Sequence, residues 1–277
     1  MRFVVWVLVA MVVATSAAGC TAGDPAERAT DGEVPRPRSM AALGDSITRA
    51  FAACGRSGDC VQTSWATGTA RNLHSHGQRL DLDNPGSNHN LAVSGARVAG
   101  LASQTRAAIQ ARPDYVTVLI GANDACTGEE TAMTSVGEYT DAFDAAMEAL
   151  MRGLPNARIL VLSIPDLARL WEIGKDRPEV RRVWEAYSIC PSMLAEPTDI
   201  SAAADARRER VRARIQAYNA AMAAACGRHP ARCRHDQSAI FDYRYNLDEI
   251  SDIDYWHPSR RGQAALSEIA WEAGFWS

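Results

Sequence analysis

Four short stretches hold residues whose types could act together on a carbonyl. In LGDSIT (43–48), Gly44 permits a tight turn, and Ser46 stands where a helix is expected to begin. The unpaired N–H groups and positive dipole end of that helix would favour negative charge on the Ser46 oxygen, or on a carbonyl it attacks. Near the other end, DYWHPS (254–259) sets Asp254 three residues before His257. On a turn, the carboxylate can fix the imidazole tautomer and leave the second nitrogen free as a base. In NLAVSGAR (90–97), Gly95 lets a backbone N–H approach a ligand without a Cβ in the way. In GAND (121–124), Asn123 can aim an NH₂ donor into a cleft, and such donors together make an oxyanion hole. Alone, each has an ordinary reading: a helix cap, turn residues, an unremarkable histidine.

Something must bring these stretches together. Apolar runs bounded by Gly, Pro or Asp occur at Met40–Leu43, Asn90–Val93, Tyr115–Ile120, Arg158–Ile164 and Ala239–Phe241. Those around Val116–Ile120 and Ile159–Ile164 are apolar on both faces, as strands of a buried parallel sheet are. Between them lie helical patterns. Thr140–Leu154 carries Phe143, Met147, Leu150 and Met151 on one face. Asp199–Cys226 carries Val211, Ile215, Tyr218 and Met222 at helical spacing. Strand–helix alternation predicts a doubly wound α/β domain, a three-layer α/β/α sandwich around a parallel sheet. In such sheets the loops beyond the strands' carboxyl ends carry the chemistry, and all four stretches fall where such loops, or the turn before the last helix, are expected. The charged stretch Asp166–Ile200, with Trp171, Trp184, Tyr187 and Cys190, matches no element of this scheme and is expected to wrap the cleft and shape a pocket.

The chain opens MRFVVWVLVAMVVATSAAGC, one positive charge before a short apolar run that ends in small residues. This is the layout of a bacterial export signal over residues 1–20, too short for a bilayer span of roughly 20 apolar residues. Ala17–Cys20 is similar to a lipobox, which makes Cys20 a lipidation candidate and a membrane anchor through that lipid an expectation, with ordinary secretion and an uncleaved anchor as the alternatives. Residues 21–38 are small, charged and proline-bearing and read as a flexible tether; residues 39–277 suit one domain with its own core. The body is therefore expected outside the cytoplasm. A formal charge of −4 gives no global basic field for nucleic acid.

Besides Cys20 there are Cys54, Cys60, Cys126, Cys190, Cys226 and Cys233. Six cysteines allow 15 pairings. Cys54 with Cys60 and Cys226 with Cys233 could close small loops, leaving Cys126 with Cys190. The rival is a zinc site from Cys226, His229, Cys233 and His235, although the spacing fits no common zinc module. No metal or other cofactor is expected.

Taken in order, GDS at Ser46, the glycine at Gly95, GxND at Gly121–Asp124 and DxxH at Asp254–His257 resemble the four blocks of the SGNH hydrolases, the GDSL lipase/esterase family. The resemblance spans nearly the whole domain. It implies a flavodoxin-like five-stranded parallel sheet, Ser46 as nucleophile, and an oxyanion hole from the Ser46 and Gly95 N–H groups with Asn123. It further implies His257 as general base and Asp254 as its orienter, with Asp248 and Asp252 as competing carboxylates. The three cysteine pairings look like those of secreted actinobacterial members. The implied activity is hydrolysis of a small-molecule or lipid ester through an acyl-enzyme. An acetyl esterase on polysaccharide and an acyltransferase are the alternatives on the same residues, and a surface binding protein without chemistry is the remaining one.

Overall fold

The computed structural model describes Met1, Phe3, residues 34–82, Asn84 and residues 86–277. The rest of the stretch expected to be an export signal, Cys20, and the expected tether as far as residue 33 lie outside the described residues. In chain order come β1 (Met40–Gly44), α1 (His76–Arg79), β2 (Asn88–Asn90), α2 (Leu101–Ala111), β3 (Tyr115–Leu119), α3 (Ala122–Ala125), α4 (Val136–Gly153) and β4 (Arg158–Val161). Next are α5 (Ala168–Gly174), α6 (Pro178–Ala186), α7 (Pro191–Leu194), α8 (Ala202–Gly227), β5 (Cys233–His235), α9 (Ala239–Asp242) and α10 (Arg260–Glu272). The strands form one parallel sheet in the order β2-β1-β3-β4-β5, flanked by helices as a three-layer sandwich. This is the flavodoxin-like order, in which the chain reverses its winding between β1 and β3. Two of the four stretches, those of Ser46 and Asn123, leave the sheet on either side of that crevice.

The centre of the sheet follows directly from composition. Every residue of β1 and β3 is buried, as are the last three of β4. Each large side chain so buried contributes roughly 1.5–3 kcal/mol. The α4 helix buries Tyr139, Phe143, Met147, Leu150 and Met151, and α8 buries Val211, Ile215, Tyr218 and Met222, with the Tyr139 and Tyr218 rings stacked at 4.0 Å. The start of α4 lies four residues before the expected Thr140 because Ser135 and Glu138 form a capping box there.

The edges differ from expectation. The strand expected at Ala239–Phe241 is instead the short helix α9, and the fifth strand is Cys233–His235. Its Arg234 faces solvent between two buried neighbours, so no apolar run marks it. Ile240 and Phe241 are buried, but in a turn of helix whose N–H groups are partly satisfied by the Asp236 carboxylate. At the other edge, β2 is Asn88–Asn90, three half-buried polar residues that precede the apolar Leu91–Val93.

Residues 35–277 form one compact unit. Pro35 and Arg38 at its start are already held: the Trp276 indole donates to Pro35 O at 3.2 Å, and the Arg38 N–H to Asp114 at 2.8 Å. Cys54–Cys60, Cys126–Cys190 and Cys226–Cys233 are paired, with Cα separations of 6.0, 4.8 and 5.2 Å. The last pair removes both thiols that the zinc alternative needs. Among the described residues no helix is long and apolar enough to cross a membrane.

Candidate active site

β1 ends in Gly44, whose φ of +148° and surroundings leave no room for a side chain. A Cβ there would stand 2.2 Å from Leu119 O. Both backbone groups of Gly44 are held by one buried amide: its N–H donates to Gln104 Oε1 at 2.8 Å, and Gln104 Nε2 donates to its carbonyl at 2.9 Å. No helix follows, contrary to expectation. Residues 46–54 run through successive turns, with Arg49 N–H donating to Asp45 O and Phe51 N–H to Ser46 O, and with left-handed Ala50 and Ala52. A helix dipole therefore does not act on Ser46. A second buried amide, Gln263 on α10, fixes the far side of this turn by donating to Ile47 O at 2.9 Å.

Ser46, 6 % exposed, faces the turn before α10. Its Oγ is 2.8 Å from His257 Nε2, and His257 Nδ1 is 2.6 Å from Asp254 Oδ2. The other carboxylate oxygen of Asp254 accepts the Trp256 and His257 N–H groups, both at 3.0 Å. Those two bonds orient the carboxylate before it meets the ring. Asp248 pairs instead with Arg261, and Asp252 is exposed. Ser259 caps α10 by accepting the Gly262 N–H, which fixes where the His257 turn ends.

The donors implied for an oxyanion come from the loops after β2 and β3. Asn123 Nδ2 donates one hydrogen to Ala96 O at 2.9 Å, which ties the two loops together and leaves the other amide hydrogen available. Gly95 has φ +79°. Among the described residues, neither the Ser46 N–H nor the Gly95 N–H donates to another group of the chain. Asp124, the D of the GAND block, is structural: it accepts the Val98 N–H and the Thr134 hydroxyl, and burial raises its pKa.

Phe51 carries no mark in the sequence, whereas Trp184 and Cys190 belong to the Asp166–Ile200 stretch expected to wrap the cleft. The Phe51 ring lies 4.8 Å from the His257 ring. Trp184 on α6 donates through Nε1 to the carbonyl of Tyr255, a left-handed residue two before His257, at 2.9 Å. Through Cys190, the same Asp166–Ile200 stretch is bridged to Cys126 at the end of α3. Leu167 and Leu170 join Ile47, Trp256 and Pro258 around an apolar cavity, so its walls include the neighbour of Ser46 and both neighbours of His257. Gln104 and Gln263 are polar residues within apolar helix faces, which is the one signal that could have found them.

Asp45 is fully buried, and one of its oxygens has no partner. Burial, ahead of the other influences, pushes its carboxyl up to about 7. His76, buried against Tyr115 and Trp271, is driven by burial down to about 3. These two groups have opposite signs in stability. The native Asp45 keeps its proton above the ordinary 3.8, so its contribution is present at low pH and lost as pH rises to about 7. The native His76 refuses a proton below the ordinary 6.5, so stability is lost as pH falls toward 3. The two slopes therefore oppose one another between about pH 4 and 6.5. Asp45→Asn is expected to gain up to about 4 kcal/mol on the wild type between pH 4 and 8. Urea unfolding at a series of pH values checks this, and parallel curves for the two proteins would refute it.

Residues 42–265 match the GDSL-like Lipase/Acylhydrolase family. The chain belongs to that family. It is accordingly a carboxylic ester hydrolase. No curated protein matches the chain. Among solved structures, this hydrolase is similar to LAE5, an α/β hydrolase from the metagenome of Lake Arreo, at 21 % identity and a TM-score of 0.54; the match covers 89 % of this chain and 100 % of that one. A variant of an acetyl-xylooligosaccharide esterase from Geobacillus stearothermophilus aligns at 17 % identity over 87 % of this chain and 96 % of that one, TM-score 0.52. An extracellular lipase from Streptomyces rimosus aligns at 18 % identity over 85 % and 99 %, TM-score 0.50. At these identities the likeness is one of fold.

Proposed function

We propose that this GDSL-like hydrolase is an extracytoplasmic serine esterase that works through an acyl-enzyme. The observation that carries the proposal is the unbroken chain of short contacts Asp254–His257–Ser46, 2.6 and 2.8 Å. In this reading Asp254 holds Nδ1 protonated, so Nε2 accepts the Ser46 proton as Oγ attacks the acyl carbon. The Ser46 and Gly95 N–H groups and the free Asn123 amide hydrogen receive the oxygen anion. His257 then protonates the leaving alcohol; in the second half-reaction it takes a proton from the water that attacks the acyl carbon and returns that proton to Ser46 Oγ as the acyl–oxygen bond breaks.

The N-terminal pattern and the three cysteine pairs support export: residues 1–20 as signal, 21–38 as tether, 39–277 as the hydrolase domain, with Cys20 as the lipid attachment point. Substrates in this reading are small-molecule or lipid esters. The fold shared with an acetyl-xylooligosaccharide esterase makes acetylated polysaccharide the second substrate class.

A serine-reactive phosphonate with peptide mapping tests the mechanism. One adduct on Ser46 is expected, and an adduct on another residue overturns the assignment. A p-nitrophenyl ester series from acetate to palmitate, run beside acetylated xylan, separates the substrate classes. Asn123→Ala is expected to fold and to lose roughly 10²–10³ in kcat, the cost of one oxyanion donor. Unchanged turnover in the folded variant would remove Asn123 from the hole.

A further inference from the structure

The Gly95 N–H can serve an oxyanion only if its peptide plane faces the right way, and the turn that holds it has two ways to face. Val93–Ala96 is a four-residue turn closed by the Ala96 N–H to Val93 O at 3.0 Å. Gly95 occupies its third position with φ +79°, while Ser94 before it is not left-handed; this is the type II form. The type I form differs chiefly by rotation of the central Ser94–Gly95 peptide, which would carry the Gly95 N–H to the opposite face. Glycine accepts either form at little cost, so the residue alone does not choose. Packing does not choose either. Gly95 is exposed, nothing lies within 4 Å of where its Cβ would be, and Val93 is 53 % exposed.

The ends of the turn are held, the Val93 N–H by Gly44 O at 3.1 Å and Ala96 O by Asn123 Nδ2 at 2.9 Å, but the contact to its central residues is a carboxylate. The Ser94 hydroxyl donates to Asp59 Oδ1 at 2.5 Å, and Arg49 Nε donates to Asp59 Oδ2 at 2.8 Å. Arg49 stands three residues after Ser46 in the same succession of turns. Asp59 itself is held inside the Cys54–Cys60 loop, where the Cys60 N–H donates to Arg49 O. Burial would raise the Asp59 pKa, but the Ser94 hydroxyl and Arg49 more than offset it, leaving the carboxyl below its ordinary range. The ionised form, which accepts both bonds, is therefore the working one. Asp59 thus links the turns that carry the nucleophile to the peptide that carries an oxyanion donor.

We infer that Asp59 is a positioning residue for this hydrolase: pinned by Arg49, it holds the Ser94 hydroxyl and so locks the Ser94–Gly95 peptide with the Gly95 N–H facing the reacting carbonyl. The inference rests on the proposed role of Gly95 in the oxyanion hole. It commits to an effect on turnover rather than on substrate affinity, because the donor's partner carries its full charge only in the transition state.

Ser94→Ala, Ser94→Thr, Asp59→Ala and Gly95→Ala, with the double variant Ser94→Ala/Gly95→Ala, test it on p-nitrophenyl acetate. Ser94→Ala and Asp59→Ala are expected to lose about tenfold in kcat with KM within about twofold, short of the 10²–10³ for a whole donor. Ser94→Thr, which keeps the hydroxyl, is expected to stay within about threefold of wild type, and the double variant to be no slower than Gly95→Ala alone, since both changes act on one N–H. Wild-type kcat in a folded Ser94→Ala, or losses that multiply in the double variant, would overturn the inference. Phosphonate labelling of each variant keeps the two levels apart. Failure to label Ser46 in the wild type defeats the esterase reading, whereas normal labelling with unchanged kcat in Ser94→Ala and Asp59→Ala defeats only the role of Asp59.

Discussion

Ser46→Ala is expected to lower ester turnover by about 10⁶, the size of loss seen when a nucleophile is removed from a serine–histidine pair. In the hydroxyl's place the variant leaves a methyl group that can neither attack nor give His257 a proton. The rest of the site stands without that hydroxyl: its one side-chain bond is to His257, while Gly44 is held by Gln104 and Ile47 by Gln263. The fold should therefore survive, with a melting temperature close to wild type. The proposed oxyanion donors also survive, so a residual rate of roughly 10³–10⁴ over the uncatalysed reaction is expected from them alone. The measurements are p-nitrophenyl acetate hydrolysis at high enzyme concentration and the loss of the phosphonate adduct. A folded Ser46→Ala protein that keeps more than about 1 % of wild-type turnover is incompatible with Ser46 as nucleophile, given the far larger loss expected.

The sequence carried the chemistry of this site better than the geometry that holds it. Ser46, Asp254 and His257 were legible because the roles proposed for them demand those residue types, and the structure brings all three within hydrogen-bonding distance. Gly95 and Asn123 were legible as turn residues with a second reading, and the Asn123–Ala96 bond joins their loops. The central strands were legible because β3 and β4 are buried on both faces and leave little room for polar residues. The edge strands were not. Asn88–Asn90 is half-buried and polar throughout, and Cys233–His235 is three residues long with exposed Arg234 at its centre, so neither shows an apolar run. The helix expected at Ser46 failed for a different reason. The turns there are set by distant partners, among them Gln263, 217 residues on from Ser46 by the numbering, and no local pattern encodes them. Phe51 and Asp59 belong to the same class. Their importance lies in what they touch, which only the fold supplies.

Asp254→Asn is expected to cost about 10⁴ in kcat while leaving the protein folded. The backbone bonds explain the survival of the fold. Asp254 Oδ1 accepts the Trp256 and His257 N–H groups, and an asparagine oxygen can accept both in the same way. The other atom explains the loss. Where Oδ2 now accepts from His257 Nδ1 at 2.6 Å, asparagine presents an NH₂ group, a donor only. Two donors cannot share that contact, so the imidazole must move its proton to Nε2. Nε2 then faces Ser46 Oγ as a donor and can no longer take its proton. The same change removes the negative charge that steadies the imidazolium formed during attack. Phosphonate labelling of Ser46 should slow in parallel with turnover, because both begin with the same proton transfer. Asp248→Asn and Asp252→Asn serve as controls, since Asp248 pairs with Arg261 and Asp252 is exposed, and both should keep wild-type rates. If Asp254→Asn were to lose less than about tenfold, far short of the expected 10⁴, His257 would be oriented by another group and Asp254 would be no more than the cap of its turn.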